Sequence, residues 1–341
     1  MEENTVVLIT GGCGYIGSHV VRDLLDSGFQ PVVLDDLSTG RQESLPAHVP
    51  FYQGSCGDAA LLRRIYQETG FRSVLHFAAS IIVPESIRDP LRYYHNNVSM
   101  TLALLRELVR LRVRTFVLSS SAAVYGDNRS GAIDENAETV PVHPYGRSKL
   151  MDEWMLRDLA ATSEMDYVIL RYFNVAGADP GLRTGQCSPV ATHLVKIASE
   201  AAVGIRSEVI ICGEDYPTPD GSCIRDYVHV SDLSSAHVKA LQYLKSGGQN
   251  EILNCGYSKG YSVREVLDCV LRHAPVPFSV VSGPRRPGDV PCLVARANKI
   301  SALLDWKPEH DSLDEIVRSS ISWEAAMKAA SGSWPVQAVP I

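Results

Sequence analysis

A glycine-rich turn near the start of the chain constrains its fold more than any other feature. Residues 6–10 read Val-Val-Leu-Ile-Thr, which is typical of a buried strand, and glycines follow at positions 11, 14 and 17. This G-x-x-G-x-x-G spacing is a variant of a strand–turn–helix fingerprint in which glycine allows a tight turn and a close approach of backbone to a pyrophosphate. The helix predicted over Tyr15–Ser27 would offer its N-terminal N–H groups to those phosphates.

The first 170 residues alternate short apolar runs with longer amphipathic stretches. Strands are predicted at Val6–Thr10, Pro31–Asp35, Ser73–Phe77, Thr115–Ser119 and Tyr167–Tyr172, and helices at Tyr15–Ser27, Ala59–Thr69, Leu91–Leu111 and Gly146–Thr162. This order is typical of βαβ units that wind a parallel sheet, and near-continuously apolar strands fit a sheet covered on both faces. The predicted fold class is α/β, a Rossmann-type doubly wound parallel sheet with a smaller mixed α/β substrate lobe.

The alternation ends after Asn174. Loops rich in glycine, proline and polar residues are predicted at Ala178–Ser188 and Glu214–Ser222, and helices at His193–Val203, Asp232–Leu244, Val263–Arg272 and Leu313–Lys328. We therefore predict a nucleotide-binding domain over residues 1–177, rejoined by about 225–255, and a smaller lobe formed by 178–224 and 256–330. The tail 331–341 has no periodicity.

An acidic residue at the end of the second predicted strand indicates which dinucleotide the turn would bind. A carboxylate at Asp35 would accept hydrogen bonds from the adenosine ribose and repel a 2′-phosphate. The sequence therefore predicts NAD as cofactor and not NADP. The alternative is that Asp35 caps the turn that begins at Leu37.

Tyr145 and Lys149 stand four residues apart at the start of a predicted helix, so both lie on one helix face. A tyrosine pKa lies near ~10, but an ammonium beside the phenol and a positive nicotinamide would favour the phenolate. Tyr145 is therefore predicted to act as a general base. The run Ser119–Ser121 ends the preceding strand, whose carboxyl edge would bring hydroxyl groups to the same crevice.

Five strings along the chain resemble UDP-glucose 4-epimerases, within the extended short-chain dehydrogenase/reductase superfamily. They are SSSAAVYG at 119–126, PYGRSKL at 144–150, LRYFN at 170–174, RDYVHV at 225–230 and PRRPGD at 284–289. The likeness spans roughly residues 5–325. It implies an isomerase that inverts the 4-hydroxyl of a UDP-hexose, as in the interconversion of UDP-glucose and UDP-galactose.

The resemblance also implies roles for individual residues. Tyr145 would remove the 4-hydroxyl proton while hydride passes to NAD, and hydride would return after the 4-keto sugar turns over. Ser121 would bond the reacting oxygen, and Lys149 would hold the nicotinamide ribose. Together with the glycine fingerprint, the resemblance places cofactor contacts at Gly11, Gly14, Tyr15, Ile16, Gly17, Asp35, Asp36, Ser55, Cys56, Phe77, Ala78, Asn96, Ser119, Tyr145, Lys149 and Tyr172. It places substrate contacts at Ser121, Tyr145, Asn174, His193, Leu194, Arg225, Arg286, Asp289 and Leu293.

Some positions depart from the family pattern. Ser55-Cys56 stands where the family usually has an acidic residue near the adenine, and Ile81 stands where some epimerases have lysine. Leu293 stands where restrictive members have tyrosine, so UDP-N-acetylhexosamines are expected as additional substrates.

Three other functions are alternatives to the epimerase. A 4,6-dehydratase would need an acid and a base after Ser121, where this chain has Ala122-Ala123. A UDP-pentose 4-epimerase stays open, since loss of the C6 group is a small change. A non-catalytic NAD or sugar-nucleotide sensor is the alternative from a different class, although such proteins tend to lose the tyrosine or the lysine.

Composition limits the partners. Lys and Arg number 32 against 39 Asp and Glu, a formal net charge of −7 that argues against nucleic-acid binding. The start Met1–Asn4 lacks the basic residues of a signal peptide, and no apolar run approaches the roughly 18 residues of a membrane span. The eight cysteines are scattered without a zinc-like spacing, so reduced thiols, a cytoplasmic location and no metal are expected. The family resemblance implies a homodimer, with the Leu91–Leu111 and Gly146–Thr162 helices as candidate contacts.

Overall fold

The computed structural model of the chain describes residues 5–127, 131–188 and 192–331. Apart from Ser331, the predicted tail 331–341 lies outside the described residues. Thirteen strands occur in this part of the chain: β1 Val6–Thr10, β2 Gln30–Asp35, β3 Phe51–Gln53, β4 Ser73–His76, β5 Thr115–Ser121, β6 Asp166–Tyr172, β7 Asn174–Ala176, β8 Glu208–Cys212, β9 Ile224–His229, β10 Glu251–Cys255, β11 Gly260–Ser262, β12 Ser279–Gly283 and β13 Cys292–Leu293.

Eleven α-helices occur in the same described ranges: α1 Tyr15–Asp26, α2 Ala59–Thr69, α3 Val83–Arg88, α4 Pro90–Tyr93, α5 Met100–Arg110, α6 Pro144–Ala160, α7 Leu194–Ala202, α8 Val230–Lys245, α9 Val263–His273, α10 Asn298–Leu304 and α11 Leu313–Ser331. A π-helical turn over Tyr94–Ser99 joins α4 to α5. Among the described helices, none is both long enough and apolar enough to cross a lipid bilayer.

A seven-stranded sheet with the order β10-β6-β5-β4-β1-β2-β3 forms the centre of the molecule, and all its strand pairs are parallel. The order reverses next to β1, whose neighbours are β2 on one side and β4 on the other. In open parallel sheets, ligands bind in the crevice at the carboxyl ends of the strands beside such a reversal. The α/β fold class predicted from the sequence is confirmed.

Apolar residues hold helix layers on both faces of this sheet. Along β1, Val7 and Ile9 belong to the core shared with α1 and α8, whereas Leu8 belongs to the core shared with α2 and α5. This alternation follows from the two-residue period of a strand. Full burial of one such side chain contributes about 1.5–3 kcal/mol to the stability of the fold. The strands that are covered on both faces therefore hold the carboxyl edge of the sheet, where the cleft lies, in place.

The rest of the chain forms smaller sheets and a third core. Strands β11, β9 and β13 pair in that order, β7 pairs with the second half of β9 at Tyr227–His229, and β12 pairs with β8. Helices α7, α9 and α11 pack together in this third core. Helix α8 and strand β10 instead pack on the central sheet. The domain boundaries drawn from the sequence stay a prediction.

Several element boundaries differ from the prediction, each for a local reason. Strand β5 continues to Ser121 and not Ser119, because its ladder with β6 extends to the pair Ser121–Tyr172. Helix α6 starts two residues before Gly146, since proline fits the first turn and the His143 Nδ1 atom accepts a hydrogen bond from the Gly146 N–H at 3.1 Å.

The single helix predicted over Leu91–Leu111 is interrupted by the π-helical turn. Within that turn, the Asn97 side chain accepts a hydrogen bond from the Ser80 N–H at 2.8 Å and donates to the Ser148 hydroxyl at 2.9 Å. These partners come from distant parts of the chain, so periodicity alone gave no signal for the turn. Such turns are frequent beside functional sites.

Candidate active site

One large cleft opens at the carboxyl edge of the central sheet, beside the reversal at β1. The predicted site residues that line it are Gly11, Gly14, Tyr15, Ile16, Gly17, Asp35, Asp36, Ser55, Cys56, Phe77, Ala78, Asn96, Ser121, Tyr145, Tyr172, Asn174, His193, Arg225, Asp289 and Leu293. Residues separated by up to 282 positions in the sequence therefore meet at one surface.

Four predicted site residues do not line the cleft. Ser119 is buried, with its hydroxyl hydrogen-bonded to the His237 ring at 2.9 Å. Leu194 begins α7 and packs against the third core. The Nε of Arg286 donates to the Cys212 sulfur at 3.0 Å. The fourth, Lys149, lies on α6 and is buried.

The glycines at 11, 14 and 17, which we call the glycine cradle, form one end of the cleft. Gly11 has φ +75°, and a Cβ on Gly17 would lie 2.3 Å from the Gly11 carbonyl oxygen, so neither position accommodates a side chain. No side chain caps the N-terminus of α1, whose first residues line the cleft. A phosphate placed there would meet backbone N–H groups and the positive end of the helix dipole. The cradle therefore fits a dinucleotide.

The Asp35 carboxylate connects the cradle to the next loop. One oxygen accepts a hydrogen bond from the Cys13 N–H at 2.9 Å and the other accepts from the Leu37 N–H at 2.8 Å. Asp35 therefore does cap the turn that begins at Leu37, which was the alternative to ribose binding. Each carboxylate oxygen can accept a further donor, so a ribose hydroxyl remains compatible with this geometry. Burial raises the pKa of Asp35 and these two N–H groups lower it.

Ser121 and Tyr145 both line the cleft. Ser121 ends β5, and Tyr145 lies in the first turn of α6. Burial raises the pKa of Tyr145, whereas a hydrogen bond with the Ser121 hydroxyl lowers it. In the protein alone the net direction is upward, opposite to the direction predicted from the sequence, because burial outweighs the hydrogen bond.

Lys149 follows Tyr145 by one helical turn, as predicted. Its Nζ lies 3.8 Å from the Asp152 Oδ2, and both side chains are almost fully buried. Burial lowers the pKa of Lys149, and the Asp152 carboxylate raises it. The same carboxylate raises the pKa of Tyr145.

The other end of the cleft consists of Arg225, Asp289, Leu293 and His193, which we call the substrate wall. The Arg225 guanidinium lies 3.6 Å from the Asp289 carboxylate, and both side chains line the cleft. Burial and the charge of Arg286 lower the pKa of His193, which favours its neutral form. The Arg225 guanidinium and a neutral imidazole can bind phosphate oxygens here.

The sequence prediction missed several cleft residues, among them His143 and Gln186. The His143 ring stacks on the Tyr145 ring with centroids 6.0 Å apart and an interplanar angle of 10°. Gln186 bonds the His193 Nδ1 atom at 3.1 Å. The position of His143 before Pro144 is a helix-capping signal that could have found it, whereas the loop position of Gln186 carried no signal.

One group of potential metal ligands occurs among the described residues, and it lies outside the cleft. It contains Cys269 and His273 of α9 and Asp314 of α11. The His273 ring bonds Asp314 at 2.6 Å, and the Arg272 guanidinium lies 3.7 Å from the same carboxylate. Because a guanidinium already neutralises this carboxylate, the group reads as an ion-pair cluster between two helices.

Comparison with known proteins shows the family of the chain. The NAD dependent epimerase/dehydratase family matches residues 7–256. The chain is 52% identical to the UDP-glucose 4-epimerase of Azospirillum brasilense over 326 residues, covering 96% of this chain and 94% of that protein.

Solved structures are similar over nearly the full chain. The UDP-glucose 4-epimerase of Stenotrophomonas maltophila, with bound NAD and formylated UDP-arabinopyranose, superposes with a TM-score of 0.92 at 36% identity, covering 96% of this chain and 100% of that one. The UDP-Glc/GlcNAc 4-epimerase of Campylobacter jejuni gives a TM-score of 0.82 at 42% identity, covering 94% and 99%.

Proposed function

The chain belongs to the NAD-dependent epimerase/dehydratase family, and from this premise we propose that it is a UDP-glucose 4-epimerase that uses NAD to interconvert UDP-glucose and UDP-galactose. The observation that carries the proposal is the meeting of Ser121 and Tyr145 in the same cleft as the glycine cradle. When a general base and a dinucleotide site share one cleft, a sugar carbon can be oxidised and then reduced while the sugar stays bound.

The residues present fit NAD. The cradle would hold the pyrophosphate, Asp35 and Asp36 the adenosine ribose, and Lys149 the nicotinamide ribose. Bound NAD accepts and returns a hydride, and its oxidised nicotinamide adds a positive charge to the cleft. Such a charge favours the Tyr145 phenolate, which the buried protein environment by itself disfavours.

Tyr145 takes the proton of the 4-hydroxyl, because its phenol is the general base that lines the centre of the cleft. Ser121 shares a hydrogen bond with that phenol. Because a hydroxyl can both donate and accept, Ser121 can stay bonded while the proton moves between the sugar oxygen and Tyr145. The 4-keto sugar then turns, and the phenol would give its proton back to the oxygen when the carbon is reduced on its other face.

The substrate wall would hold the uridine diphosphate while the sugar turns. Arg225 offers a planar, bidentate donor to phosphate oxygens, and Asp289 offers a carboxylate to a ribose hydroxyl. Arg286, whose charge acts on His193, is proposed as a second phosphate contact. Leu194 and Asn174 are the further uridine contacts proposed. An anchored diphosphate is needed, because the sugar must rotate without leaving the cleft.

UDP-N-acetylhexosamines are proposed as additional substrates. Leu293 lines the cleft and is shorter than a tyrosine, which leaves room at the sugar 2-position. A similar structure is named a UDP-Glc/GlcNAc 4-epimerase. A pentose is a second candidate, because a similar structure holds formylated UDP-arabinopyranose. Conversion rates over UDP-hexoses, UDP-N-acetylhexosamines and UDP-pentoses rank these substrates directly.

A homodimer in a reducing cytoplasm completes the proposal. Helix α5 exposes Leu102 and Val109, and α6 exposes half of the Trp154 side chain. Such apolar residues on neighbouring helices support a contact between two copies. All eight cysteines are thiols, which suits a reducing compartment. Sedimentation analysis is expected to give twice the chain mass of 37.3 kDa.

The test of the function needs no added cofactor. We expect heat extraction of the purified protein to release NAD, and the untreated protein to convert UDP-galactose into UDP-glucose. A protein that releases NAD but converts no UDP-sugar would be a sensor. A protein that holds no NAD and gains no activity when NAD is supplied would contradict the proposal.

A further inference from the structure

Lys149 and Asp152, three residues apart on α6, form a buried ion pair. Their side chains are 2% and 1% exposed, and the Lys149 Nζ lies 3.8 Å from the Asp152 Oδ2. This distance is longer than a hydrogen bond, which joins nitrogen and oxygen at about 2.7–3.2 Å. Burial raises the pKa of Asp152 to about 7, and the charge of Lys149 lowers it. When ionised, the Asp152 carboxylate balances the ammonium charge without occupying one of its three N–H donors.

The two oxygens of Asp152 are buried and have no hydrogen-bond partner among the described residues. Its neighbour Glu153 is equally buried but fully bonded. Glu153 accepts hydrogen bonds from the Arg171 guanidinium at 2.5 Å and from the Ser120 hydroxyl at 2.5 Å. Glu153 thus has its own counterion, whereas Asp152 has Lys149. A buried, unbonded carboxylate is costly, so its retention requires an explanation beyond packing.

The groups that surround the ammonium leave Asp152 as its main counter-charge. Glu153 on α6 and Cys56 from the loop after β3 also raise the pKa of Lys149, but less than Asp152 does. Burial raises the pKa of Cys56 to about 12, so this group stays a neutral thiol. Burial lowers the pKa of His76 on β4 to about 3, so its ring is neutral as well.

Building on the proposed function, we propose that Asp152 is a positioning residue that keeps the Lys149 ammonium charged and in place while leaving its N–H donors free for the cofactor ribose. Without it, a lysine buried this deeply would lose its proton more readily, because burial disfavours the charged form. Lys149 would then reach the cofactor as a neutral amine. Asp152 itself does not line the cleft, so it acts through Lys149.

The direct test is the titration of Lys149 in the purified protein with the NAD that it retains. The chain has eight lysines, so ¹³Cε-lysine labelling gives a countable NMR spectrum in which Lys149→Arg identifies the signal. In Asp152→Asn we expect the Lys149 midpoint to fall by about one pH unit or more, since an opposite charge at this distance shifts a pKa by about 1–3. Asp152→Glu keeps a carboxylate and is expected to restore the midpoint.

Asp158→Asn is the matched control, because it removes the same charge from an exposed position of the same helix. Its Lys149 midpoint should equal that of the natural chain. An unchanged midpoint in Asp152→Asn, or a neutral Lys149 at pH ~7 in the natural chain, would overturn the proposal. The second result needs no variant, and Asp152→Ser replaces Asp152→Asn if the latter does not fold.

The second readout is the pH profile of UDP-galactose conversion. Between about pH 7 and about pH 9, Asp152→Asn should lose about tenfold more activity than the natural chain, because its lysine loses the proton at lower pH. Equal profiles would contradict the proposed role. If the natural chain converts no UDP-sugar, the proposed function fails, while the Lys149 titration still decides the role of Asp152.

Discussion

The glycine cradle and the substrate wall are built in different ways. The cradle comes from one continuous turn, and its binding groups are backbone N–H groups at the start of α1. The wall comes from the side chain just before α7 and from side chains on β9, β13 and the loop before β13. Backbone geometry therefore sets the cofactor end, whereas long-range packing sets the substrate end. We expect changes in the cradle to affect NAD retention and changes in the wall to affect substrate choice.

The largest effect is expected between the two ends, at the base. Tyr145→Phe removes the phenol oxygen but keeps the ring that stacks on His143. Turnover should fall by about 10²–10⁴-fold while NAD stays bound, because only the proton transfer is lost. Initial rates and the NAD content of the variant measure both. Tyr52→Phe, which removes an exposed phenol bonded to Glu68, is the matched control. Normal turnover in Tyr145→Phe would make another group the base.

The next largest effect is expected in the cradle. Gly17→Ala would place a Cβ 2.3 Å from the Gly11 carbonyl oxygen, so the turn must shift. We expect NAD content and cofactor-free activity to fall on the order of tenfold to a hundredfold, because the phosphate site depends on this turn. Gly28, unlike Gly17, has a positive φ, but no atom lies within 4 Å of an added Cβ. Gly28→Ala should therefore lose some stability and keep its NAD; full NAD content in Gly17→Ala would break the comparison.

A smaller effect is expected in the wall. Arg225→Gln removes the guanidinium that lies 3.6 Å from Asp289. The KM for UDP-galactose should rise about tenfold, since a hydrogen bond to a charged group contributes about 1.5–3 kcal/mol. NAD content should not change. Arg296→Gln, at an exposed pair with Asp134, is the control. Loss of NAD in Arg225→Gln would show that the two ends are not independent.

The smallest effect concerns selectivity. Leu293→Tyr fills the space beside the sugar 2-position, so we expect a severalfold to about tenfold loss for UDP-N-acetylglucosamine relative to UDP-glucose, the size of effect that added bulk in an apolar pocket produces. The ratio of kcat/KM for the two substrates measures it. An unchanged ratio would place the acetyl group elsewhere in the cleft.

The sequence predicted the cradle more completely than it predicted the wall. The glycine spacing and the four-residue step from Tyr145 to Lys149 are local, so strand and helix geometry sufficed to predict them. The pair of Arg225 with Asp289 joins residues 64 positions apart and was expected only as separate family matches. The contact of Gln186 with His193 was not expected at all.

The electrostatics of the base also required the structure. The sequence placed a cation beside Tyr145 but gave no measure of burial, which raises the pKa of this phenol. Asp152 could be seen as a helix neighbour of Lys149, but not as an unbonded buried carboxylate at 3.8 Å. Burial and partner distances depend on how distant segments pack. The π-helical turn that places Asn97 on Ser148 has the same origin.

The central claim is that one cleft binds both the general base and the NAD that takes hydride from the sugar and returns it. It is tested most directly with UDP-galactose carrying deuterium at C4, given to the purified protein without added NAD. We expect UDP-glucose that keeps the deuterium at C4, because the hydride taken from the sugar returns to the same carbon inside the cleft. Conversion with loss of the label to water, or no conversion by protein that contains NAD, would contradict the account.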